Sequence, residues 1–432
     1  MYTFQIVKLI YLSEFYNAFL NEFIANIHKR IAIFAILIIN LHHKNIFQKN
    51  TTTKMKQMML LLAAAAMTAC CPKGVEVTVT NPTADERDNE TVEIQWSAVT
   101  EGLQGATATN LVVTDDEGEE IPSQVIFKGE TEPQALIFQV DIDANESECY
   151  YINTGTPATY AQKTFGRQVP ERLDDYAWEN NLCAYRLYGP ALETSKEQLI
   201  TPGIDVWVKC TEKLVIDEWY AKGDYHHNYG DGMDCYKVGR TLGGGASVPM
   251  VDGKFWPMDH NYNTYQTLDN GPIRTSVKLV YTPWDVNGTA VSLVKIITLD
   301  ADQRFNRMEN IYEGAFEELP IAAGFVRHDV KQTTQGEGWL AMVEAVSDSK
   351  QPEVDGDIYQ AVILPGAELH ADLLGHSLAV TKVKSGEPMV YYSGSGWSQG
   401  GVEDMEDWVE DITEYQAMIA QPLQVTVKPA CK

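Results

Sequence analysis

The sequence is short of basic residues. Of its 432 residues, 33 are Lys or Arg and 60 are Asp or Glu, which gives a formal net charge of −27 at pH 7. A negative field of this size repels the phosphates of nucleic acids and anionic membrane surfaces. The composition therefore argues against a nucleic-acid partner. It leaves room for an anionic sugar, because a local cluster of Arg and Lys can dominate inside a cleft.

Cysteine is also scarce, with seven in the chain. Two are adjacent, Cys70 and Cys71, and no pair of the others has the C-x-x-C or close Cys/His spacing that is typical of zinc sites. A structural zinc site is therefore not predicted. The remaining five are an odd number, so at least one thiol stays free; they are Cys149, Cys183, Cys210, Cys235 and Cys431.

Apolar runs long enough to cross a bilayer are missing as well. The run Ile31–Leu41 is shorter than the roughly 20 residues that a membrane-spanning helix needs. Residues 1–54 contain no Gly, Pro, Asp, Cys or Trp and are crowded with residues that AT-rich codons specify. We interpret residues 1–54 as a translated upstream region, with Met55 as the true start. The alternative is a membrane helix around Ile31–Leu41.

An export signal follows at residues 55–70. A basic start at Met55-Lys56-Gln57 precedes the short apolar run 58–66 and the small residues before Cys70. The segment Met67-Thr68-Ala69-Cys70 resembles the end of a bacterial lipoprotein signal, in which the cysteine is lipidated and becomes the first residue. We therefore expect an exported lipoprotein, anchored by Cys70 in the outer membrane on its periplasmic or cell-surface face. The alternative is a buried helix with an incidental cysteine.

The remaining chain, roughly 360 residues, is long enough for two domains. Residues 75–154 contain short segments of alternating polarity, such as Val75–Thr80 and Thr91–Trp96, with turn signals about every ten residues. This pattern predicts a small β-sandwich, which we interpret as a spacer or docking domain. Residues 155–185 read as a linker into the second domain.

Residues 155–432 are assigned to that larger domain. Ile273–Tyr281 and Ala290–Asp300 alternate in polarity, and Asn287-Gly288 between them favours a tight hairpin. Long antiparallel strands predict a large β-sandwich rather than an α/β enzyme. Helical spacing of apolar residues predicts one clear helix at Val402–Ile419.

The densest polar and aromatic stretch is residues 219–240. His226 and His227 lie among aromatic residues there, and a histidine can move protons near neutral pH. Aromatic rings interleaved with hydrogen-bonding groups suit a sugar. We expect no cofactor. Binding of a divalent cation near Asp224, Asp231 and Asp234 is an open alternative, although the order of these residues matches no strong ligand motif.

Three other segments have residues that suit the same cleft. They offer a carboxylate, cationic groups and aromatic rings, and each of these residue types is more often structural than functional. An arginine suits bidentate binding of a carboxylate, and an indole ring suits stacking on a sugar face. The residues, with a lysine from the dense stretch, are Trp178, Glu179, Arg186, Tyr188, Lys237, Arg274 and Trp397.

Together these segments resemble a family of exported Bacteroidetes-type proteins, known as a domain of unknown function, that is encoded beside polysaccharide-utilisation genes. The resemblance covers most of residues 75–432. The Gly271-Pro272-Ile273-Arg274 strand entry is also similar to the galactose mutarotase-like supersandwich of sugar epimerases and polysaccharide lyases. That likeness implies a mainly β fold, with a histidine acid and a carboxylate base on a concave sheet. The matching pieces are Trp178–Asn180, Tyr188–Leu192, Gly203–Lys209, Asp224–His226, Asp234–Gly239, Asn270–Arg274 and Gly394–Trp397.

The leading functional hypothesis is a lipid-anchored carbohydrate-active protein acting on uronic-acid-containing polysaccharide fragments by lyase, hydrolase or epimerase chemistry. His226 and Glu179 are the expected acid–base pair; no motif identifies the carboxylate, so Glu309 and Glu344 are alternatives to Glu179. The residues expected to bind substrate are Trp178, Arg186, Tyr188, His227, Lys237, Arg274 and Trp397. The alternative is a non-catalytic glycan-binding lipoprotein. The sequence leaves the sugar, the linkage and the oligomeric state undetermined.

Overall fold

The protein is described by a computed structural model that covers residues 74–346 and 348–429. Within these ranges the strands pair antiparallel in five sheets, apart from one isolated parallel bridge between Ile204 and Gly243. The expected mainly β fold is confirmed. None of the helices in the described ranges is long and apolar enough to cross a membrane. Residues 1–54 and the predicted lipoprotein signal with Cys70 lie outside the described residues.

Two small sheets enclose the N-terminal core. Their strands alternate buried and exposed side chains, because successive residues of a strand point to opposite faces. The elements are β1 (Val75–Thr80), β2 (Arg87–Gln95), α1 (Trp96–Gly102), β3 (Leu111–Thr114), β4 (Glu120–Ile121), β5 (Ser123–Ile126), β6 (Ala135–Ile142), β7 (Ser147–Thr154) and β26 (Gln424–Lys428). Sheet A has the order β26-β1-β7-β3-β4, and sheet B has the order β2-β6-β5.

The C-terminal strand β26 belongs to this N-terminal pair of sheets. It pairs antiparallel with β1, from Glu76 opposite Lys428 to Thr80 opposite Gln424. No strand was predicted at these positions, although Gln424–Lys428 alternates in polarity, because β26 has only five residues and lies mostly exposed at the edge of sheet A. The chain therefore comes back to sheet A after the last strand of the larger body.

Three sheets build the larger body. Sheet C has the order β12-β11-β10-β9-β8 and consists of β8 (Thr164–Val169), β9 (Asp175–Asn180), β10 (Cys183–Leu187), β11 (Ile204–Lys209) and β12 (Gly232–Asp234). Sheet D has the order β14-β13-β19-β24-β23 and consists of β13 (Gly244–Val251), β14 (Lys254–Phe255), β19 (Leu319–Val326), β23 (Glu368–Leu373) and β24 (His376–Val383).

Sheet E is the largest, with eight strands. Its elements are β15 (Thr264–Asn270), β16 (Arg274–Val286), β17 (Thr289–Asp300), β18 (Phe305–Gly314), β20 (Val330–Gly336), β21 (Trp339–Ala345), β22 (Asp357–Ile363) and β25 (Pro388–Trp397). The predicted hairpin joins β16 to β17, and Asn287 and Gly288 both have positive φ, 51° and 86°.

The main core contains side chains from sheets C, D and E, among them Tyr185, Ala323 and Leu293. The opposite face of sheet E is covered by helix α3 (Met405–Ala420), whose Trp408 stacks on Phe305 at 5.4 Å. The side chain of Asp404 caps this helix by accepting from the main-chain N–H groups of residues 406 and 407. The predicted helix is thus confirmed, beginning three residues later than expected.

The linker expected at residues 155–185 was wrong, because β8, β9 and part of β10 lie there. Every residue of β9 and β10 is buried, so neither strand has the exposed face that marks a strand at a domain surface. Two short helical elements complete this region, the 3-10 turns Pro170–Arg172 and Pro190–Thr194.

Candidate functional site on the outer face of sheet C

Sheet C has one apolar face and one charged face. In β9 to β11, alternate residues such as Tyr185 and Val206 point into the main core, and the residues between them point away from it. The outward face is also buried, because helix α2 (Ile216–Lys222) and the segment 223–231 pack on it with Trp219 and Tyr225. Charged side chains are thereby enclosed between a sheet and a short helix.

Arg186 is the centre of this face, and three aspartates surround it. Its Nη2 donates to Asp234 Oδ2 at 2.9 Å, and its Nε donates to Asp205 Oδ2 at 2.8 Å. Nη2 also donates to Asp205, and Nη1 lies 3.8 Å from Asp175 Oδ2. The three carboxylates are at most 1% exposed. We call Arg186, Asp175, Asp205 and Asp234 the charge cluster.

Aromatic rings line the charge cluster. The Arg186 guanidinium carbon lies 5.2 Å from the ring centroid of Tyr188, 5.5 Å from that of Trp207 and 5.6 Å from that of Tyr225. Contacts of this kind stabilise a cation, most strongly where water is excluded. The Tyr225 hydroxyl accepts from Arg186 Nη1 and from Arg172 Nε, each at 3.3 Å. The cluster is therefore roofed by a tyrosine of the segment 223–231.

Burial raises the pKa of the three carboxyl groups. It raises the pKa of Asp175 to about 6, more than Arg186 lowers it. It also raises the pKa of Asp205, and burial together with the neighbouring Asp205 raises that of Asp234 well above its usual value. A pKa of about 6 suits a group that transfers protons near neutral pH.

Several polar atoms in this region are buried and have no hydrogen-bond partner among the described residues. They are Asp175 Oδ2, Asp205 Oδ1, Arg172 Nη1 and Tyr220 Oη. Buried polar atoms nearly always have a partner, and unpartnered ones call for an explanation. Burial at a shared charged centre makes these four atoms candidates for contact with a polar ligand.

His226 lies at the rim of the charge cluster. Its Nδ1 is 3.1 Å from the main-chain oxygen of Asp234 and 3.8 Å from Asp234 Oδ2, and its side chain is 41% exposed. Because a carbonyl oxygen can only accept, Nδ1 must be protonated to make this bond. In the neutral ring, Nε2 is then the nitrogen that can accept a hydrogen bond. The neighbouring His227 packs edge-on against Tyr229, with centroids 4.6 Å apart.

A second histidine anchors the strand that carries Asp234. His328 Nδ1 lies 2.7 Å from Glu344 Oε1, and its Nε2 lies 2.8 Å from the main-chain oxygen of Lys237. Both partners accept, so both ring nitrogens donate and the ring is a cation. Glu344 raises the pKa of His328, although burial opposes this. The pair ties residues 234–237 to sheet E. The Lys237 side chain itself is exposed.

Glu179 faces α2 rather than the charge cluster. Its Oε2 accepts from Lys209 Nζ at 3.0 Å and from the main-chain N–H of Val215 at 2.8 Å, and its Oε1 accepts from that of Ile216 at 2.8 Å. Glu179 and Lys209 are both completely buried. These contacts hold the start of α2 on sheet C, so the geometry gives Glu179 a structural role in place of the expected catalytic one.

The two tryptophans expected to stack on a sugar face the interior. Trp178 and Trp397 are each 1% exposed. Trp178 donates to Asn306 Oδ1 at 2.7 Å and stacks on Tyr185, and Trp397 donates to the main-chain oxygen of Asp355 at 2.7 Å. Stacking on a ligand needs an open ring face, which neither indole has.

Arg274 lies far along the chain from the charge cluster, at the junction of the two bodies. It donates two bonds to Asp300, at 2.6 and 2.7 Å, and one to Glu93 at 3.0 Å. Its guanidinium is thus occupied by carboxylates of this protein. Arg274 therefore joins the N-terminal sheets to sheet E instead of meeting Arg186 and His226 at one site.

The three aspartates of the open cation hypothesis have different partners. Asp224 accepts from Lys350 at 2.6 and 2.8 Å, Asp231 lies 3.6 Å from Lys213, and Asp234 belongs to the charge cluster. Across the described ranges, no group of three or more His, Cys, Asp or Glu side chains is arranged to hold a metal ion. The cation near these residues stays an untested prediction.

Sequence reasoning missed Asp175 and Asp205 as functional candidates. Asp175 lies in the segment 155–185, which was interpreted as a linker, and Asp205 lies in Gly203–Lys209, one of the pieces that carry the family resemblance. The spacing of two residues between Asp175, Ala177 and Glu179 is a strand pattern that places all three on one face. That pattern was the available signal.

The chain belongs to the family described as "Domain of unknown function (DUF4861)", whose profile matches residues 79–425. One relative is "Uncharacterized protein P7" of Formosa agariphila, which is 32% identical over 321 residues, covering 68% of this chain and 78% of that protein. The family assignment agrees with the resemblance to a domain of unknown function.

Two solved structures are similar at low sequence identity. A protein in the glycosyl hydrolase family 38 from Enterococcus faecalis has a TM-score of 0.46 and 10% identity, covering 83% of this chain and 48% of that one. An alpha-mannosidase from Enterococcus faecalis V583 has a TM-score of 0.47 and 8% identity, covering 87% and 49%. The chain spans about half the length of both.

Proposed function

We propose that this protein is a carbohydrate-active protein whose site is the charge cluster on sheet C, working by acid–base catalysis with Asp175 and His226. The substrate class is uronic-acid-containing polysaccharide fragments, and the reaction is a hydrolysis, an elimination or an epimerisation. The observation that carries the proposal is the environment of Asp175. Its carboxyl group is enclosed, its Oδ2 has no hydrogen-bond partner among the described residues, and its pKa is about 6.

The proposed roles follow from the position of each group. Asp175, when protonated, can donate to a leaving oxygen, and its carboxylate can take a proton back. His226 Nε2 can make the complementary transfer, since Nδ1 is held by the Asp234 main chain. Arg186 stabilises the charged form of the carboxylates around it and keeps their oxygens in place.

Helix α2 and the segment 223–231 are the part of the site that excludes water. Trp219 and Tyr225 stack on Trp207 at 5.5 and 5.3 Å, so the roof is aromatic on its inner side. An aromatic roof with an acidic floor suits a sugar, which has apolar faces and polar edges. Substrate entry then requires the Tyr225 side chain to move.

A first experiment incubates the purified protein with a panel of saturated and unsaturated uronic-acid oligosaccharides and with neutral oligosaccharides. Mass spectrometry and absorbance of new double bonds report the products. We expect turnover that falls at least about 100-fold in His226→Ala and in Asp175→Asn. His370→Ala, a histidine on β23 paired with Glu368, is the matched control and should keep full activity.

The alternative function is non-catalytic glycan binding. It predicts that no saccharide in the panel changes, while calorimetry still detects binding and His226→Ala binds as the wild type does. A pH profile separates the two further, because titration of Asp175 should bend kcat/KM near pH 6.

We also propose that the protein is an exported lipoprotein of the outer membrane, acylated on Cys70. The support is the sequence pattern at residues 55–70 alone. Metabolic labelling with a fatty-acid analogue tests it: Cys70→Ser should lose the label, and persistence of the label would contradict the assignment.

A further inference from the structure

The Tyr225 hydroxyl occupies a position suited to a sugar hydroxyl. Two guanidinium nitrogens donate to it, Arg172 Nε and Arg186 Nη1, each at 3.3 Å. The same Nη1 lies 3.8 Å from Asp175 Oδ2, which has no hydrogen-bond partner among the described residues. A hydroxyl group at this point can accept from the two arginines, and a second hydroxyl beside it is needed to donate to Asp175 Oδ2, which the Tyr225 hydroxyl leaves without a partner.

The unpartnered atoms near this point include both acceptors and donors. Asp175 Oδ2 and Asp205 Oδ1 accept, Arg172 Nη1 donates, and the Tyr220 hydroxyl does either. Asp175 and Asp205 are completely buried, so bulk water does not satisfy them. Two adjacent hydroxyls of a sugar ring supply donors and acceptors together, whereas an ionised carboxylate only accepts.

The charge of the cluster opposes an anionic sugar. Arg186 is already bonded to Asp205 and Asp234, and Asp175 lies beside it. A uronate in this place would put a fourth carboxyl group into an enclosed region whose three carboxyl groups already have raised pKa values, so a further negative charge there is unfavourable. Arg172 is also partly engaged, through Glu197 at 3.3 Å.

We propose that the charge cluster binds a neutral sugar unit through two adjacent hydroxyls, one of which takes the place of the Tyr225 hydroxyl. This inference rests on the proposed function and specifies which kind of sugar unit the charge cluster binds. In a uronic-acid-containing fragment, the unit held by Asp175, Asp205 and Arg172 is the neutral one, and the uronate lies outside the cluster.

Calorimetry with matched ligands tests the inference. The probes are neutral oligosaccharides, each paired with the counterpart whose ring at the bound end carries a carboxylate at C6. Wild-type protein should bind the neutral member of at least one pair about tenfold or more tightly than the acidic one. Mass spectrometry of the same mixtures records whether any of them is converted.

Tyr220→Phe removes only an unpartnered hydroxyl and leaves the ring contacts with Trp207 and Tyr225 in place. It should fold normally and lose about fivefold to tenfold in affinity for the neutral ligand. Tyr225→Phe should bind that ligand more tightly, since the competing hydroxyl is gone. Tyr160→Phe, whose hydroxyl donates to the exposed Glu120 outside sheet C and its roof, is the matched control and should bind as the wild type does.

The outcomes separate the two proposals. If acidic members bind as tightly as their neutral partners, or if Tyr220→Phe changes no affinity, the neutral-diol inference is overturned while the proposed function stands. If no saccharide of either kind is bound or converted, the proposed function fails and this inference fails with it.

Discussion

Replacing Asp175 by Asn should make the protein more stable at neutral pH while removing activity. The Asp175 carboxylate is completely buried, and its pKa rises to about 6 from an ordinary 3.8. A rise of roughly two units corresponds to about 3 kcal/mol of cost for holding the charged form in the folded state. Asn keeps an oxygen that can accept from the Gly189 main-chain N–H, as Asp175 Oδ1 does at 3.0 Å, without the charge.

The sign of the pH dependence follows from the protons bound. Between about pH 4 and pH 6 the folded protein binds more protons at Asp175 than the unfolded chain does, so stability falls as the pH rises. The wild type should lose up to about 3 kcal/mol over this window through Asp175 alone. Asp175→Asn should lack this contribution, so the two proteins should differ little near pH 4 and most at pH 7.

Urea denaturation at half-unit steps from pH 4 to pH 7.5 measures the difference. Asp372→Asn, at an aspartate that is 66% exposed, is the matched control and should stay within about 0.5 kcal/mol of the wild type throughout. If Asp175→Asn is less stable than the wild type at pH 7, or if the two pH profiles are parallel, the reasoning about burial of Asp175 is refuted.

Three further predictions concern buried charges. Glu179→Gln leaves the Lys209 ammonium fully buried without its carboxylate and should cost about 3–5 kcal/mol in urea denaturation at pH 7; a loss below 1 kcal/mol would contradict it. In Arg274→Lys, the ammonium group lacks the planar fork with which Arg274 bonds two carboxylates, so limited proteolysis should cut between the two bodies several times faster. An unchanged rate would contradict the joining role. Lys295 is completely buried, and burial lowers its pKa to about 8, so the free energy of unfolding of the wild type should rise by up to about 3 kcal/mol between pH 8 and 10.5. Lys295→Met should lack this rise, and equal pH profiles of the two proteins would contradict the prediction.

Local patterns in the sequence were sufficient for elements that have one buried and one exposed face. The strands β1, β16 and β17 were predicted within a few residues, because their side chains alternate between core and solvent. The hairpin between β16 and β17 was predicted from Asn287-Gly288, since few residue pairs adopt positive φ at both positions.

The same patterns failed where burial is two-sided or absent. β9 and β10 are buried on both faces, and the charged residues on one of these faces were interpreted as part of an exposed linker. β26 alternates in polarity but has only five residues, which are mostly exposed, and its partner β1 lies at the other end of the described chain. In each case the missing information is which other element contacts the strand.

The candidate site divides in the same way. The aromatic stretch 219–240, His226 and Arg186 were singled out from residue type alone, and the structure brings His226 and Arg186 within 4 Å of the same oxygen, Asp234 Oδ2, at 3.8 and 2.9 Å. Residue type also favoured Trp178, which is in the core. An indole ring has the same sequence signature whether its face meets a ligand or another side chain.

The sequence by itself determined the mainly β composition, the turn between β16 and β17, the helix α3 and the chemical richness of the stretch that closes over sheet C. Only the tertiary structure decided the charge cluster. Arg186 meets Asp205 and Asp234, which lie 19 and 48 residues further along the chain, through the pairing of β10, β11 and β12. Alternation of residues along a strand indicates that the strand has two different faces. The elements that pack on those faces determine which charges are buried together and which oxygens stay available to a ligand.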